Sequence, residues 1–320
     1  MKRVLIVDPI AAAGEALLAR SVEVVRSPDS DPESIRRLAR DADGIITRSK
    51  LPDDVFQAAP RVRAVAIHGT GTDLVPLADA TARGVMVSNI PGGNAQSVAE
   101  YCVMAMLVLS RKLFGITSAL KSDSWDKARA LGAGTHELAG LTLGLVGVGE
   151  IGKRVAKICR QGLGMRVLGT QRRMERLPAD AEPAPLDELV SNSDFVVVTC
   201  PLNADTRHLF NQNLISRMKS TAWLINVGRG PVVEEAALIA ALRERRIAGA
   251  MLDVYEHYRL PPGHPLFSLD NAVLTPHLAG MTVESRARMS VAAAEEVLRM
   301  LAGERPKNFV NPESANIAHH

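Results

Sequence analysis

Cysteine is scarce: Cys102, Cys159 and Cys200 are the only three in 320 residues, an odd number, far apart and in apolar surroundings. That argues against a disulfide framework or a cysteine-built metal knot, and no metal site is expected; buried thiols in a reducing cytoplasm fit instead. Excess charge is scarce too. With 38 Lys+Arg against 35 Asp+Glu the formal charge is +3, so nothing points to nucleic acid or an anionic membrane as a partner. No apolar run reaches the ~18–20 residues of a spanning helix. The start, Met1-Lys2-Arg3-Val4-Leu5-Ile6-Val7-Asp8, has a short apolar run and an early acid, and reads as a first strand rather than a signal peptide. Repeats of solenoid length and low-complexity tracts are missing as well. The terminal His319-His320 pair carries no weight either way.

What is present is a length suited to two domains, each with its own core. Over the first ~90 residues, β-rich runs at 4–7, 22–25, 44–47, 64–67 and 85–87 alternate with helical stretches at 11–20, 31–40, 52–59 and 74–83. Such alternation predicts a parallel sheet with helices on both faces. Pro91-Gly92-Gly93 breaks the pattern, and Asn94 or Ser97 is placed to cap one long helix running to about Leu120. A polar, loosely patterned stretch, 121–140, follows. A second alternating series has strands at 141–146, 166–170, 194–199, 222–226, 249–253 and 272–274. The last long helical stretch, 283–301, has no strand after it and is assigned back to the first domain.

Near the middle of the chain the apolar run 141–146 leads into Gly147-Val148-Gly149-Glu150-Ile151-Gly152, and an amphipathic stretch, 151–159, leads out. Strand, glycine turn and helix form the context in which G-x-G-x-x-G binds a dinucleotide. Gly147 would allow the tight turn, Gly149 the approach of the pyrophosphate, and Gly152 close packing of helix on strand. The helix N-terminus would face the phosphate charge. Because about 140 residues precede the motif, the pattern predicts a nucleotide domain inserted into another domain. The expected boundaries are 1–93 with 285–320 for the outer, substrate (lid) domain and 94–284 for the dinucleotide-binding domain. The fold class is α/β: two doubly wound parallel-sheet domains, a Rossmann domain inserted into a flavodoxin-like one.

Three further segments close predicted strands: Asn226-Val227-Gly228-Arg229-Gly230, Leu252-Asp253-Val254-Tyr255 and Thr275-Pro276-His277. Ligands of open α/β sheets bind outside the carboxyl ends of the strands, so all three are expected to face the crevice of the glycine turn. Together with His68-Gly69-Thr70-Gly71-Thr72-Asp73, and Pro91-Gly92-Gly93-Asn94 followed by Ser97-Val98-Ala99-Glu100, they make the chain resemble the D-isomer-specific 2-hydroxyacid dehydrogenases. That family includes phosphoglycerate, glyoxylate/hydroxypyruvate and D-lactate dehydrogenases. The resemblance runs over almost the whole chain, in five blocks in the family's order: 68–73, 91–94 with 97–100, the glycine motif 147–152, 226–230 and 275–277.

The resemblance implies roles. Arg229 takes the place of the substrate arginine, whose planar fork can hold a 2-keto acid by carboxylate and carbonyl oxygens. The plainer alternative is a surface arginine at a strand end. His277 takes the place of the acid/base, since reducing a ketone with hydride needs a proton for the developing alkoxide. The plainer alternative is a hydrogen-bonded structural histidine. Gly69, Thr70 and Gly71 resemble a backbone cradle for the substrate carboxylate. His68 is a flanking substrate residue. Arg48 and Ser49 stand where some phosphoglycerate-type members touch substrate, or else form a solvated loop pair. Asp253 matches a position near the nicotinamide amide, and Cys200-Pro201 the wall of the adenine pocket. Glu150, Ile151, Thr206 and Val227 fall at cofactor-facing positions.

Two departures alter the expectation. The family usually ends the second strand of the nucleotide domain with an acid that holds the ribose hydroxyls. Counting 19 positions on from Gly152 reaches Gln171, followed by Arg172 and Arg173. A glutamine does not repel a 2′-phosphate and two guanidiniums attract it, so NADP(H) is expected over NAD(H); alternatively both arginines face solvent and NAD still binds. Secondly, the glutamate that normally stands five residues after Asp253 and raises the histidine's pKa is here Tyr258, followed by Arg259. A phenol is neutral at pH 7, which would leave His277 near ~6.5 or below and favour reduction at acidic pH. Alternatively Glu256, two residues earlier, turns in to support His277. The formate dehydrogenase branch has glutamine at this position, so an uncharged partner is compatible with hydride transfer.

The sequence thus predicts a cytoplasmic NAD(P)-dependent oxidoreductase acting on a small 2-keto or 2-hydroxy acid, NADPH preferred, with the interdomain crevice closing on substrate about hinges near 91–94 and 282–285. The rival is a dinucleotide-sensing interaction protein, as in the C-terminal binding protein corepressors, although those keep the glutamate. Arg48, Lys50 and His68 could serve a second anionic group on the substrate. The family's terminal regulatory domain has no room in 320 residues. A homodimer through the nucleotide domain, with 94–140 as the contact, completes the expectation.

Overall fold

Short runs of β-branched and aliphatic residues set both sheets. The computed structural model describes residues 1–316; the terminal 317–320, with the His319-His320 pair, lie outside the described residues. The chain divides into two compact units, Met1–Asn94 with Met281–His320, and Ala95–Gly280.

In the first unit, β1 (Arg3–Ile6), β2 (Glu23–Arg26), β3 (Gly44–Thr47), β4 (Ala64–Ile67) and β5 (Met86–Ser88) lie parallel in the order β2-β1-β3-β4-β5. The central strands, Gly-Ile-Ile-Thr and Ala-Val-Ala-Ile, are buried at every position, as a strand must be when helices cover both faces. Ile35, Leu51 and Phe56 fill one face, Leu18, Met289 and Val297 the other. The helix Val283–Leu301 starts at a capping box between Thr282 and Ser285. It packs closely because β3 opens on glycine: a Cβ on Gly44 would lie 2.9 Å from Val297 Cγ2.

In the second unit β6 (Thr142–Val146), β7 (Arg166–Thr170), β8 (Glu182–Pro183), β9 (Phe195–Val198), β10 (Trp223–Asn226), β11 (Gly249–Leu252) and β12 (Ala272–Leu274) are also all parallel. Their order is β12-β11-β10-β9-β6-β7-β8. The order reverses between β6 and β9, which opens a crevice at their carboxyl ends. The fold is therefore α/β, with two doubly wound sheets, the Rossmann unit inserted in sequence between the two pieces of a flavodoxin-like unit.

Three details differ from the sequence reading. The single helix expected to reach Leu120 is two, Ala95–Ser110 and Leu113–Ser122, bent by 53°. Lys112 between them is in the left-handed region at φ 50. The apolar pattern runs through the break, so sequence gave no stop signal; the second helix buries none of its residues and leaves Leu113, Phe114 and Leu120 about half exposed. The stretch 121–140 holds a further helix, Trp125–Ala130, capped by Ser124. The two-residue edge strand β8 has too little apolar pattern to be seen in advance.

Candidate active site

The glycine turn separates what packing requires from what it leaves open. Gly147 has φ +88, and a Cβ there would lie 2.6 Å from the Cα and N of Cys200, so only glycine fits. A Cβ on Gly152 would lie 2.7 Å from the Gly147 carbonyl oxygen, which is how the helix Glu150–Lys157 comes down onto β6. Gly149, the residue before that helix, has an ordinary φ of −80, and a Cβ there would meet nothing within 4 Å. Neither conformation nor protein packing requires glycine at 149. Close approach of a ligand to the helix N-terminus does, so the residues fit a dinucleotide pyrophosphate. Glu150 turns to Arg154 and Lys153 at 3.0 and 3.6 Å, while Ile151 packs against the core.

After β7, Gln171 Nε2 donates to the Arg173 carbonyl at 2.8 Å, and the side chains of Arg172 and Arg173 are exposed. No acid stands at this strand end. After β9, burial pushes the Cys200 thiol up to about 11, which keeps it protonated at neutral pH and assigns it to packing. Thr206 Oγ1 donates to the Pro201 carbonyl at 2.7 Å and accepts from Asn203 N at 2.8 Å, closing that loop. Val227 is buried just beyond β10.

Arg229 follows β10. Buried Asn226 shapes its loop: Oδ1 accepts from Gly228 N and Nδ2 donates to the Arg229 carbonyl, both at 3.1 Å. Arg229 is half-buried in extended backbone, φ −139. The next residue, Gly230, sits so close to the following loop that a Cβ would fall 1.6 Å from the Tyr255 carbonyl oxygen.

His277 follows β12 in the left-handed region, φ 55, with its N–H donating to the Asp253 carbonyl at 2.9 Å. Asp253, 1 % exposed, holds this loop with its carboxylate: it accepts from Thr275 Oγ1 at 2.7 Å, Leu278 N at 2.8 Å and Ala279 N at 2.9 Å. Tyr101 and Tyr255 brace Thr275, through its hydroxyl at 2.5 Å and its carbonyl at 2.8 Å. Burial pushes both phenols up, Tyr255 to about 12, so both are neutral struts. The ring of Tyr258 meets that of His277 edge-on, centroids 6.0 Å apart. Glu256 is occupied elsewhere, with Oε1 2.8 Å from His208 Nε2 and Oε2 accepting from Glu235 N at 3.4 Å. Of the two candidates to support the imidazole, Tyr258 is the one whose ring touches it.

In the first unit, Asp8 shapes the loop after β3. Its carboxylate accepts from Arg48 N at 2.7 Å, Ser49 N at 2.8 Å and Ser49 Oγ at 2.6 Å. His68 is 3 % exposed, with Nε2 2.9 Å from Ser290 Oγ. Burial, helped by the charge of Arg48, pushes its pKa down to about 4, so it is a neutral ring at pH 7. The Gly69 N–H is donated to Ile67 O at 2.8 Å; Thr70 Oγ1 reaches the Ile90 carbonyl at 3.3 Å, and Gly71 is half-buried.

Sequence reasoning missed the organisers Asp8, Tyr101 and Asn226. Asp8 had a signal: an acid at the carboxyl end of a first parallel strand stands where ligand loops gather.

Arg229 and His277 thus follow β10 and β12, on either side of β11, at the edge where the glycine turn follows β6. This is the plan of a nicotinamide-dependent dehydrogenase. Residues 103–279 match the family model described as D-isomer specific 2-hydroxyacid dehydrogenase, NAD binding domain. A glyoxylate reductase from Thermofilum pendens is 38 % identical over 315 residues, 95 % of this chain and 93 % of that protein. A D-3-phosphoglycerate dehydrogenase from Methanocaldococcus jannaschii is 33 % identical over 97 % of this chain but only 60 % of its own length. The NADPH-dependent glyoxylate/hydroxypyruvate reductase of Sinorhizobium meliloti, solved with NADP and malonate, superposes with a TM-score of 0.85 at 29 % identity, covering 100 % of this chain and 99 % of that one. The chain belongs to the D-isomer-specific 2-hydroxyacid dehydrogenase family. It is an oxidoreductase with an NAD(P)-binding Rossmann domain.

Proposed function

We propose that the chain is an NADPH-preferring reductase of small 2-keto acids such as glyoxylate or hydroxypyruvate, which in reverse oxidises D-2-hydroxy acids. The carrying observation is that Arg229 and His277 each stand three residues beyond the carboxyl end of a strand, β10 and β12, of the sheet whose β6 leads into the glycine turn. The bound nicotinamide supplies or accepts the hydride. Arg229 grips the carboxylate and the carbonyl oxygen in a fork, and its charge offsets that growing on the oxygen. His277 gives that oxygen its proton, in a ring orientation set by the Asp253-held loop and by Tyr258.

NADPH preference rests on Gln171, Arg172 and Arg173, which offer two exposed guanidiniums and no carboxylate to a 2′-phosphate. The Sinorhizobium relative was solved with NADP. The active form is a cytoplasmic homodimer, supported by Leu113, Phe114 and Trp125, which the second unit leaves 49, 58 and 67 % exposed.

The test is a keto-acid panel with both cofactors. Preference for NADPH by about tenfold or more in kcat/KM is expected, falling when Arg172 and Arg173 become alanine; a clear NADH preference overturns the cofactor assignment. Arg229→Lys and His277→Asn are each expected to lower keto-acid kcat/KM by about 10²-fold or more. Turnover surviving both substitutions overturns the site. A monomer mass by light scattering would overturn the dimer.

A further inference from the structure

Beside the reacting groups lies a charged cluster that the chemistry above does not use. It joins the loops after β9 and β11 to the helix after β10. His208, from the first of these, is in the left-handed region at φ 51, a conformation uncommon for residues with a side chain. Its N–H donates to the Pro231 carbonyl at 2.8 Å, and its Nε2 lies 2.8 Å from Glu256 Oε1. Glu256 and Glu235 exchange contacts: Glu256 N donates to Glu235 Oε2 at 3.3 Å, and Glu235 N to Glu256 Oε2 at 3.4 Å. Two carboxylates brought together in this way repel unless each has a cation or donor against it. His264 takes that place for Glu235, at 3.1 Å. The result is a continuous chain, His208–Glu256–Glu235–His264, between the loops after β9 and β11 and the first residue of the helix Glu235–Arg243.

Its position gives it leverage. Glu256 lies one residue after Tyr255, whose carbonyl is the surface on which Gly230 rests; the missing Cβ of Gly230 would also fall 2.6 Å from Glu256 N. Gly230 is the neighbour of Arg229. Two residues on the other side of Glu256 stands Tyr258, with its ring against His277. One carboxylate therefore sits in the turn whose backbone sets the arginine loop and whose end presents the phenol to the imidazole.

We propose that Glu256, anchored by His208, is a positioning residue for the reaction: it fixes the 255–258 turn, and with it the Arg229 fork and the Tyr258 ring. This rests on the assignment of Arg229 and His277 above. A loosened turn misplaces the groups that hold the keto acid while leaving the glycine turn untouched, so the loss falls on substrate binding rather than cofactor binding.

The experiment is steady-state kinetics on the full chain with glyoxylate and NADPH. Glu256→Gln is expected to raise KM for glyoxylate by about tenfold, with kcat within about threefold and the KM for NADPH within about twofold. His208, whose side chain is 40 % exposed, provides a second route, with Tm measured alongside as its control. His208→Leu should reproduce the effect, and His208→Gln, which keeps a donor, should restore most of the wild-type KM. The double substitution Glu256→Gln with His208→Leu should be no worse than either alone. Glyoxylate KM unchanged in the single variants, equal effects of Leu and Gln at 208, or additive losses that follow a falling Tm each overturn the proposal. If Arg229→Lys and His277→Asn abolish turnover while the Glu256 and His208 variants leave KM intact, only this inference fails. If those two retain turnover, the assignment beneath it fails first.

Discussion

At position 258, under the function proposed above, a phenol stands where the resemblance to the family would have a glutamate supporting His277. The difference is electrostatic before it is steric: the ring still meets the imidazole, at 6.0 Å between centroids, but a hydroxyl replaces a carboxylate. Tyr258 is 66 % exposed, so a charge placed there is partly screened and should act at the low end of the usual range. Tyr258→Glu is expected to move the basic limb of kcat/KM for keto-acid reduction up by about one pH unit, because the protonated imidazole then survives to higher pH. Tyr258→Phe, which removes no charge, should leave the limb in place. A pH–rate profile with one keto acid decides this; a limb unmoved by glutamate would mean that position 258 does not communicate with His277.

The glycine turn is a short element in which two residues separated by one position do opposite things. Gly147→Ala must place a Cβ 2.6 Å from the backbone of Cys200 at φ +88, so it should cost several degrees of Tm through strain and displaced strand ends. Gly149→Ala meets no protein atom within 4 Å; it should leave Tm within about 1 °C and raise the KM for NADPH, because the new methyl stands where only a ligand comes. Equal Tm losses in the two variants would show that position 149 serves packing after all. This contrast also explains what could be read from the chain. The turn, Arg229 and His277 were legible because each is fixed by its own strand end, a local matter of spacing. The pairing of Asp8 with the 48–49 amides, and of His208 with Glu256, was not, since each joins residues about 40 or more apart that only the parallel topology brings together. The bend at Lys112 was illegible for another reason: the apolar period of Leu113 and Phe114 continues that of the helix before it, and pattern alone does not tell an apolar residue that is buried from one left exposed.

Across the whole molecule, two sheets with separate cores are expected to respond to acid differently, and the expectation has a named source. His68 is buried in the first unit as a neutral ring, its Nε2 against Ser290 Oγ, its pKa lowered to about 4 by burial and by Arg48. Unfolded, it binds a proton at its ordinary value near ~6.5. Between those values the unfolded chain holds more protons than the folded one, so stability from this group is complete above pH ~6.5 and is lost as pH falls towards 4. The full shift corresponds to about 3 kcal/mol. The chain supplies its own control. Both tryptophans, Trp125 and Trp223, and all three tyrosines, Tyr101, Tyr255 and Tyr258, lie in the second unit, so indole fluorescence follows that unit while circular dichroism follows both. Between pH 7 and 4.5 the urea midpoint by circular dichroism should fall further than that by fluorescence. His68→Gln, which keeps a donor for Ser290 and cannot be protonated, should remove most of the extra fall. If wild type and variant lose stability in parallel across this window, the acid sensitivity of the first unit comes from other groups, and His68 is not the buried neutral ring on which this prediction depends.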